Sequence, residues 1–259
     1  MDKFFDIKQN IIPTDKGDVG LPIFYYDFSS IIFAYTVDKA DAETLLKGTG
    51  LKPTLFFGNK AMVMIVFFEY RNTSIGEYNE VGLATICHPE NHKKPTLPLL
   101  NFIKSGKNWN IGAYIHNLPV TTEIANAAGR KIWTFPKFVT PIPFNLTKSS
   151  FSGGVKDPVS NDDIFTIQGK TGKLGLGSLF NAIDIVTYSN HENELLRTVI
   201  DTKGKAWYGV NSDITLKIGN SNHEMSNNLK HYKLDTKKPI FTIISDKAKS
   251  ILPAGVVVK

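Results

Sequence analysis

Residues 24–37 alternate aromatic, small and β-branched side chains, and the runs 54–57, 61–70 and 81–86 repeat that enrichment in Val, Ile, Phe and Tyr, so the pattern predicts strands. Gly58-Asn59 between two of these runs predicts a hairpin turn. Further strands are expected at 111–116, 139–146, 164–168, 182–188, 214–218 and 240–244. Helical periodicity is confined to a few places. At 39–47, Ala42, Leu45 and Leu46 share a face and Asp38 is placed to cap. At 121–129, Thr121 or Thr122 caps, Glu123 suits the positive end, Ile124, Ala127 and Ala128 are apolar, and Gly129 supplies a stop. A short third turn is expected at 178–181. No linker, composition break or internal repeat divides the chain. Residues 1–259 are therefore expected to form a single α+β domain, a mostly antiparallel, closed or nearly closed β-barrel with a few peripheral helices.

Composition narrows the function classes. With 42% hydrophobic and 21% charged residues, the chain is ordinary for a folded protein and unlike a disordered or low-complexity one. The net charge is +6, yet the lysines are scattered rather than gathered in a stripe, so no nucleic-acid partner is expected. Cys87 is the single cysteine, which excludes an internal disulfide and a cysteine zinc site and points to a reducing compartment. The opening MDKFFDIKQN has no signal-like apolar run, and no stretch reaches the roughly 20 apolar residues of a membrane span. The expectation is a cytoplasmic protein with no membrane partner.

Several motifs lead nowhere. The glycine-rich stretch 169–178 has no phosphate-loop register, because Leu174 follows Gly172-Lys173 where a Ser or Thr would be needed. The six histidines show no paired ligand spacing, so no metal is expected. No Gly-x-Ser-x-Gly elbow occurs.

The stretch that carries chemistry is Gly129-Arg130-Lys131-Ile132-Trp133-Thr134-Phe135-Pro136-Lys137-Phe138, in which aromatic residues and a proline hem in Lys137. Such a lysine either snorkels to water or is desolvated. In water lysine titrates near 10.4, leaving about one amine in 2,500 neutral at pH 7. Burial disfavours the ammonium, and an amine freed in this way condenses with ketones to an iminium that withdraws electrons from a neighbouring bond.

This segment resembles the active-site signature of the acetoacetate decarboxylase-like superfamily, in which Gly-Arg-Glu leads through mainly apolar residues to Pro-Lys. The stretch Ile75-Gly76-Glu77-Tyr78-Asn79-Glu80-Val81-Gly82 resembles the family's Gly-x-Tyr-x-Glu strand, and the likeness extends over residues 20–245. The resemblance implies that Lys137 forms the Schiff base and that Glu80 is the active-site carboxylate. It implies a cofactor-free lyase acting on a small β-keto acid such as acetoacetate, and a homo-oligomer. Arg130 is expected either to anchor the helix end or to face the pocket. Tyr78 shares Glu80's strand face and belongs either to the cavity or to the core. Trp133, Phe135 and Phe138 are expected beside the substrate. Two departures from the decarboxylase pattern limit what carries over. Phe138 stands where a second lysine follows the first, and residues 1–70 contain no arginine. Aldol or dehydration chemistry on a related ketone, and a non-catalytic pocket for a small carbonyl compound, therefore remain open beside decarboxylation.

Overall fold

The computed structural model describes residues 2–171, 180–181, 184–210 and 212–258. Among them the strand pairings run in a ring. Tyr78–Pro89, Lys60–Thr73, Ile23–Asp38, Phe241–Leu252, Glu194–Gly209, Ile185–His191 and Gly112–Val120 are successive neighbours, and Gly112–Val120 pairs back onto Tyr78–Pro89. Neighbours are antiparallel except at Gly112–Val120, which lies parallel to Ile185–His191 and to the short strand Lys137–Val139. A second antiparallel sheet comprises Phe144–Leu146, Ser150–Lys156, Asp163–Lys170 and Asp213–Ile218. The fold is α+β and dominated by sheet, and none of its described helices is long and apolar enough to cross a membrane.

The two-residue side-chain period divides the work between the faces of the ring. Ile31, Phe33 and Tyr35, with Val63, Ile65 and Phe67 and with Val81 and Leu83, pack against Phe151, Phe165, Ile167 and Leu216 of the second sheet. The intervening positions turn the other way and line a cavity. Both faces are covered, so residues 61–70 read as a nearly unbroken apolar run rather than a clean alternation.

The expected strands occur, several of them longer than the patterns suggested, and Gly58 takes the positive φ of 58° in the predicted hairpin turn. The expected run 139–146 is instead two pieces, Lys137–Val139 and Phe144–Leu146. Pro141 and Pro143 lie between them and supply no N–H to a ladder. Asp38 holds the N-cap position of helix Lys39–Leu46 but makes no side-chain cap, because its carboxylate accepts from Lys60 Nζ at 2.6 Å. The second helix is Glu123–Trp133, so Gly129 does not stop it. Thr122 occupies its N-cap without a side-chain bond, and Thr121 Oγ1 accepts instead from the Asn79 amide. Positions 178–179 of the expected third turn, 182–183 of the expected strand and 172–178 of the glycine-rich stretch lie outside the described residues. The pattern missed the hairpin Asn10–Thr14 with Gly17–Leu21, the strands Ser150–Lys156 and Glu194–Gly209, and the helix Glu224–His231.

That last helix covers a buried polar group. His116 Nε2 is 2.8 Å from Thr85 Oγ1 and 3.2 Å from the Tyr232 hydroxyl. Burial, with a smaller contribution from His231, pushes the His116 pKa from 6.5 down to about 4. Between those values the unfolded chain binds the proton that the folded chain excludes, so stability is lost as pH falls through this window. Denaturant titration at pH 7 and pH 4 is expected to show about 3 kcal/mol lost through this histidine. In His116→Gln the difference between the two pH values should shrink by that amount; an unchanged difference would contradict the assignment.

Candidate active site

Local capping places Lys137. At the end of helix Glu123–Trp133, Thr134 adopts the left-handed conformation with φ 55° and donates its N–H to Arg130 O, while Phe135 N–H donates to Gly129 O. This reversal sends Phe135-Pro136-Lys137 back beside the helix. Leu118 N–H then donates to Pro136 O at 3.0 Å, and Lys137 pairs in parallel register with Leu118. The Arg130 guanidinium donates to Lys137 O at 2.9 Å. Trp133 and Phe135 stack with ring centroids 5.8 Å apart, and the indole N–H of Trp133 donates to Pro253 O.

The lysine stem crosses the helix where Gly129 has no side chain. A Cβ there would lie 2.3 Å from Lys137 Cε, well inside contact distance. Glycine at 129 is therefore required by the close approach of Lys137 and not by a helix stop.

Beyond Gly129, Lys137 Nζ donates to Glu80 Oε2 at 2.5 Å. Lys137 is 6% exposed and Glu80 7%. A buried ion pair loses much hydration and survives only with close geometry and further hydrogen bonds. Here the Tyr70 hydroxyl donates to Glu80 Oε1 at 3.4 Å, the Tyr25 and Tyr78 hydroxyls share a bond of 3.0 Å, and Lys137 Nζ lies 5.8 Å from the centre of the Tyr78 ring. Burial pushes the pKa of all three phenols upward, and the Glu80 charge adds to the effect, so they remain protonated donors.

Lys137 and Glu80 form part of the wall of a cavity of about 140 Å³. Its lining is otherwise almost wholly apolar, from Phe28, Phe68 and Phe135 near the pair to Met64, Ile86 and Trp109. Among the described lining residues Lys137 is the only basic one. Asp184 also reaches the wall, with its carboxylate accepting from the amides of Gly106 and Thr202.

The structure thus brings Lys137, Glu80 and Phe135 together on the cavity wall, while Tyr78 belongs to the core, beside Lys137 Nζ but not in the lining. Three other expected residues stand elsewhere. Arg130 grips the backbone of Lys137 and is not in the cavity lining. Trp133 lies behind Phe135, with 1% exposure. Phe138 corrects the expectation of a substrate contact: it follows Lys137 on a strand, so its ring turns to the other side and meets His223 at 4.4 Å. The position of the missing second lysine consequently faces away from the amine. Sequence reading missed Tyr25, Tyr70 and Gly129. Strand periodicity placed both tyrosines in strands, but only the cross-strand register Tyr70↔Tyr78 brings Tyr70 to Glu80, and Tyr25 joins through its hydroxyl bond to Tyr78.

Comparison with known proteins bears on the fold and the family. The family model for acetoacetate decarboxylase matches residues 11–177. The fold resembles the crystal structure of acetoacetate decarboxylase from Legionella pneumophila, with TM-score 0.66 at 16% identity over 100% of this chain and 94% of that one. It also resembles an acetoacetate decarboxylase-like enzyme from Sphingomonas wittichii RW1, with TM-score 0.60 at 12% identity over 93% and 94% of the two chains. A third similar structure is the enduracididine biosynthesis enzyme MppR complexed with the condensation product of pyruvate and imidazole 4-carboxaldehyde, with TM-score 0.61 at 11% identity over 92% and 90%. No curated protein matches the sequence. With its family model covering well over half of its length, this chain belongs to the acetoacetate decarboxylase family.

Proposed function

We propose that this chain is a cofactor-independent Schiff-base lyase that decarboxylates a β-keto acid, with Lys137 as nucleophile and Glu80 as its proton partner. The observation that carries this reading is the 2.5 Å contact between Lys137 Nζ and Glu80 in the wall of an apolar cavity. Glu80 takes a proton from the ammonium, and the free Nζ pair attacks the keto carbon. The carbinolamine accepts that proton on its oxygen and loses water, leaving an iminium. The bond to the carboxylate breaks, carbon dioxide departs, and the electron pair moves through the new carbon–carbon double bond onto nitrogen. The enamine takes a proton on carbon, and one water then hydrolyses the iminium, returning the amine and releasing the ketone. The sum consumes one keto acid anion and one proton. Tyr70 donates to the other Glu80 oxygen and holds the carboxylate in place.

Residues 1–259 act as one unit in this proposal, supported by a ring that draws on strands from Ile23–Asp38 through Phe241–Leu252. One observation favours the aldol or dehydration alternative: Lys137 is the only basic side chain among the described lining residues, so a substrate carboxylate meets no arginine fork there. Carbon dioxide release from a β-keto acid series tests the choice. Release that is lost in Lys137→Ala is expected. An adduct on Lys137 without carbon dioxide would overturn decarboxylation in favour of the alternative.

Gly129→Ala separates placement of the amine from folding. The added methyl displaces the Lys137 stem, and a misplacement of about 1 Å can reduce turnover about 100-fold. The fold should survive, since the helix preference of alanine over glycine, about 0.5–1 kcal/mol, offsets part of the roughly 1–3 kcal/mol that overpacking against the Lys137 stem costs. Turnover and thermal melting measured together are expected to show a large loss in the first and little in the second; full activity would contradict the close approach at 129.

A further inference from the structure

The cavity continues away from the reacting pair along an apolar strand face. Glu80, Gly82, Ala84 and Ile86 follow one another along one strand face, a span of about 20 Å at ~3.3 Å per residue. Opposite them on the neighbouring strand stand Phe68, Val66 and Met64. The first positions after Glu80 carry the smallest side chains, and a Cβ at Gly82 would meet nothing nearer than Leu118 Cδ1 at 3.4 Å. Packing therefore does not demand glycine at 82, and the gap opens space directly beside the reacting pair. A dry apolar cavity of about 150 Å³ is known to take a ring of six carbons, and this one measures about 140 Å³.

We infer that the carbonyl substrate carries an apolar tail, alkyl or aromatic, which lies past Gly82 between Val66 and Ala84. The inference rests on the Schiff-base reading of Lys137 and deepens it. With Lys137 as the only basic side chain on the described wall, and that one engaged in the chemistry, binding comes from burial of the tail and not from the head group. Each buried methylene adds about 0.8 kcal/mol, close to fourfold in affinity.

The test is competition between two ketones, acetone and 2-heptanone, for borohydride-trapped attachment to the native protein, read by intact mass and peptide mapping. The 2-heptanone adduct on Lys137 is expected to exceed the acetone adduct on the order of 100-fold, from four additional methylenes. Gly82→Val fills the proposed tail space and should bring the ratio toward unity. If that variant fails to melt cooperatively, Val66→Trp blocks the same space from the facing strand. Equal adducts on the native protein, or a preference that survives both blocks, would overturn the apolar-tail inference while leaving Lys137 as the nucleophile. Absence of an adduct with either ketone would overturn the Schiff-base reading itself, and the inference with it.

Discussion

Replacement of Lys137 by alanine is expected to abolish turnover, a loss on the order of 10⁴-fold or more for removal of a covalent nucleophile. The more informative companion is Lys137→Arg. Arginine keeps the positive charge beside Glu80 and fills much of the same channel past Gly129, but its guanidinium does not lose a proton in proteins and offers no free amine. The two variants should therefore be equally inactive although only one leaves the Glu80 carboxylate buried without a cation. Breaking a buried pair in that way costs about 3–5 kcal/mol, so Lys137→Ala should melt earlier and Lys137→Arg should not. Steady-state rates with thermal melts on both proteins check this. Substantial turnover in Lys137→Arg would mean that the lysine acts only as a charge.

Glu80→Gln is expected to have the next largest effect. The amide retains the shape of the carboxylate and an oxygen to accept from Lys137 Nζ, but it cannot take the proton that must leave the ammonium before attack. Loss of a positioned acid–base group typically lowers rates by about 10²–10⁴-fold. Single-turnover formation of the lysine adduct isolates this step from product release. An adduct that forms faster in Glu80→Gln would mean that the carboxylate restrains the amine by holding it as an ammonium, and the role given to Glu80 would be wrong.

What could be read in the chain, and what could not, follows from how local each signal is. The strands through Ile23–Asp38, Lys60–Thr73 and Tyr78–Pro89 announce themselves because both of their faces are covered along much of their length and apolar side chains predominate there. Glu194–Gly209 is just as long, but it carries Lys203, Gly204 and Lys205 in its second half and leaves several positions exposed, so no apolar run marks it. Helix Glu224–His231 hides for a related reason. Two asparagines occupy its middle, His223 replaces the usual Ser, Thr or Asp as the capping acceptor, and Met225 and Leu229 are its only buried large apolar side chains.

The same distinction governs the site. Pro136-Lys137 and Gly76-Glu77-Tyr78-Asn79-Glu80 are continuous pieces, each legible by itself, though only the fold closes the 57 residues between Glu80 and Lys137. Tyr70 reaches Glu80, and Tyr25 reaches Tyr78, through strand register, which no single stretch encodes. Gly129 was open to a sound but wrong interpretation. A glycine after Ala127-Ala128 satisfies the rule for a helix end, yet the left-handed cap falls on Thr134, and the glycine is there because Lys137 folds back across it. Phe138 shows the converse: adjacency in sequence to Lys137 places it on the opposite side of a strand, against His223.

Lys137 is proposed to form a Schiff base with a carbonyl substrate. Incubation with acetoacetate and borohydride, followed by proteolysis and mass mapping, tests it most directly. A reduced adduct confined to the peptide containing Lys137 is expected, with no adduct in Lys137→Arg. An adduct on other lysines with Lys137 unmodified, or none at all while carbon dioxide is still released, would contradict it.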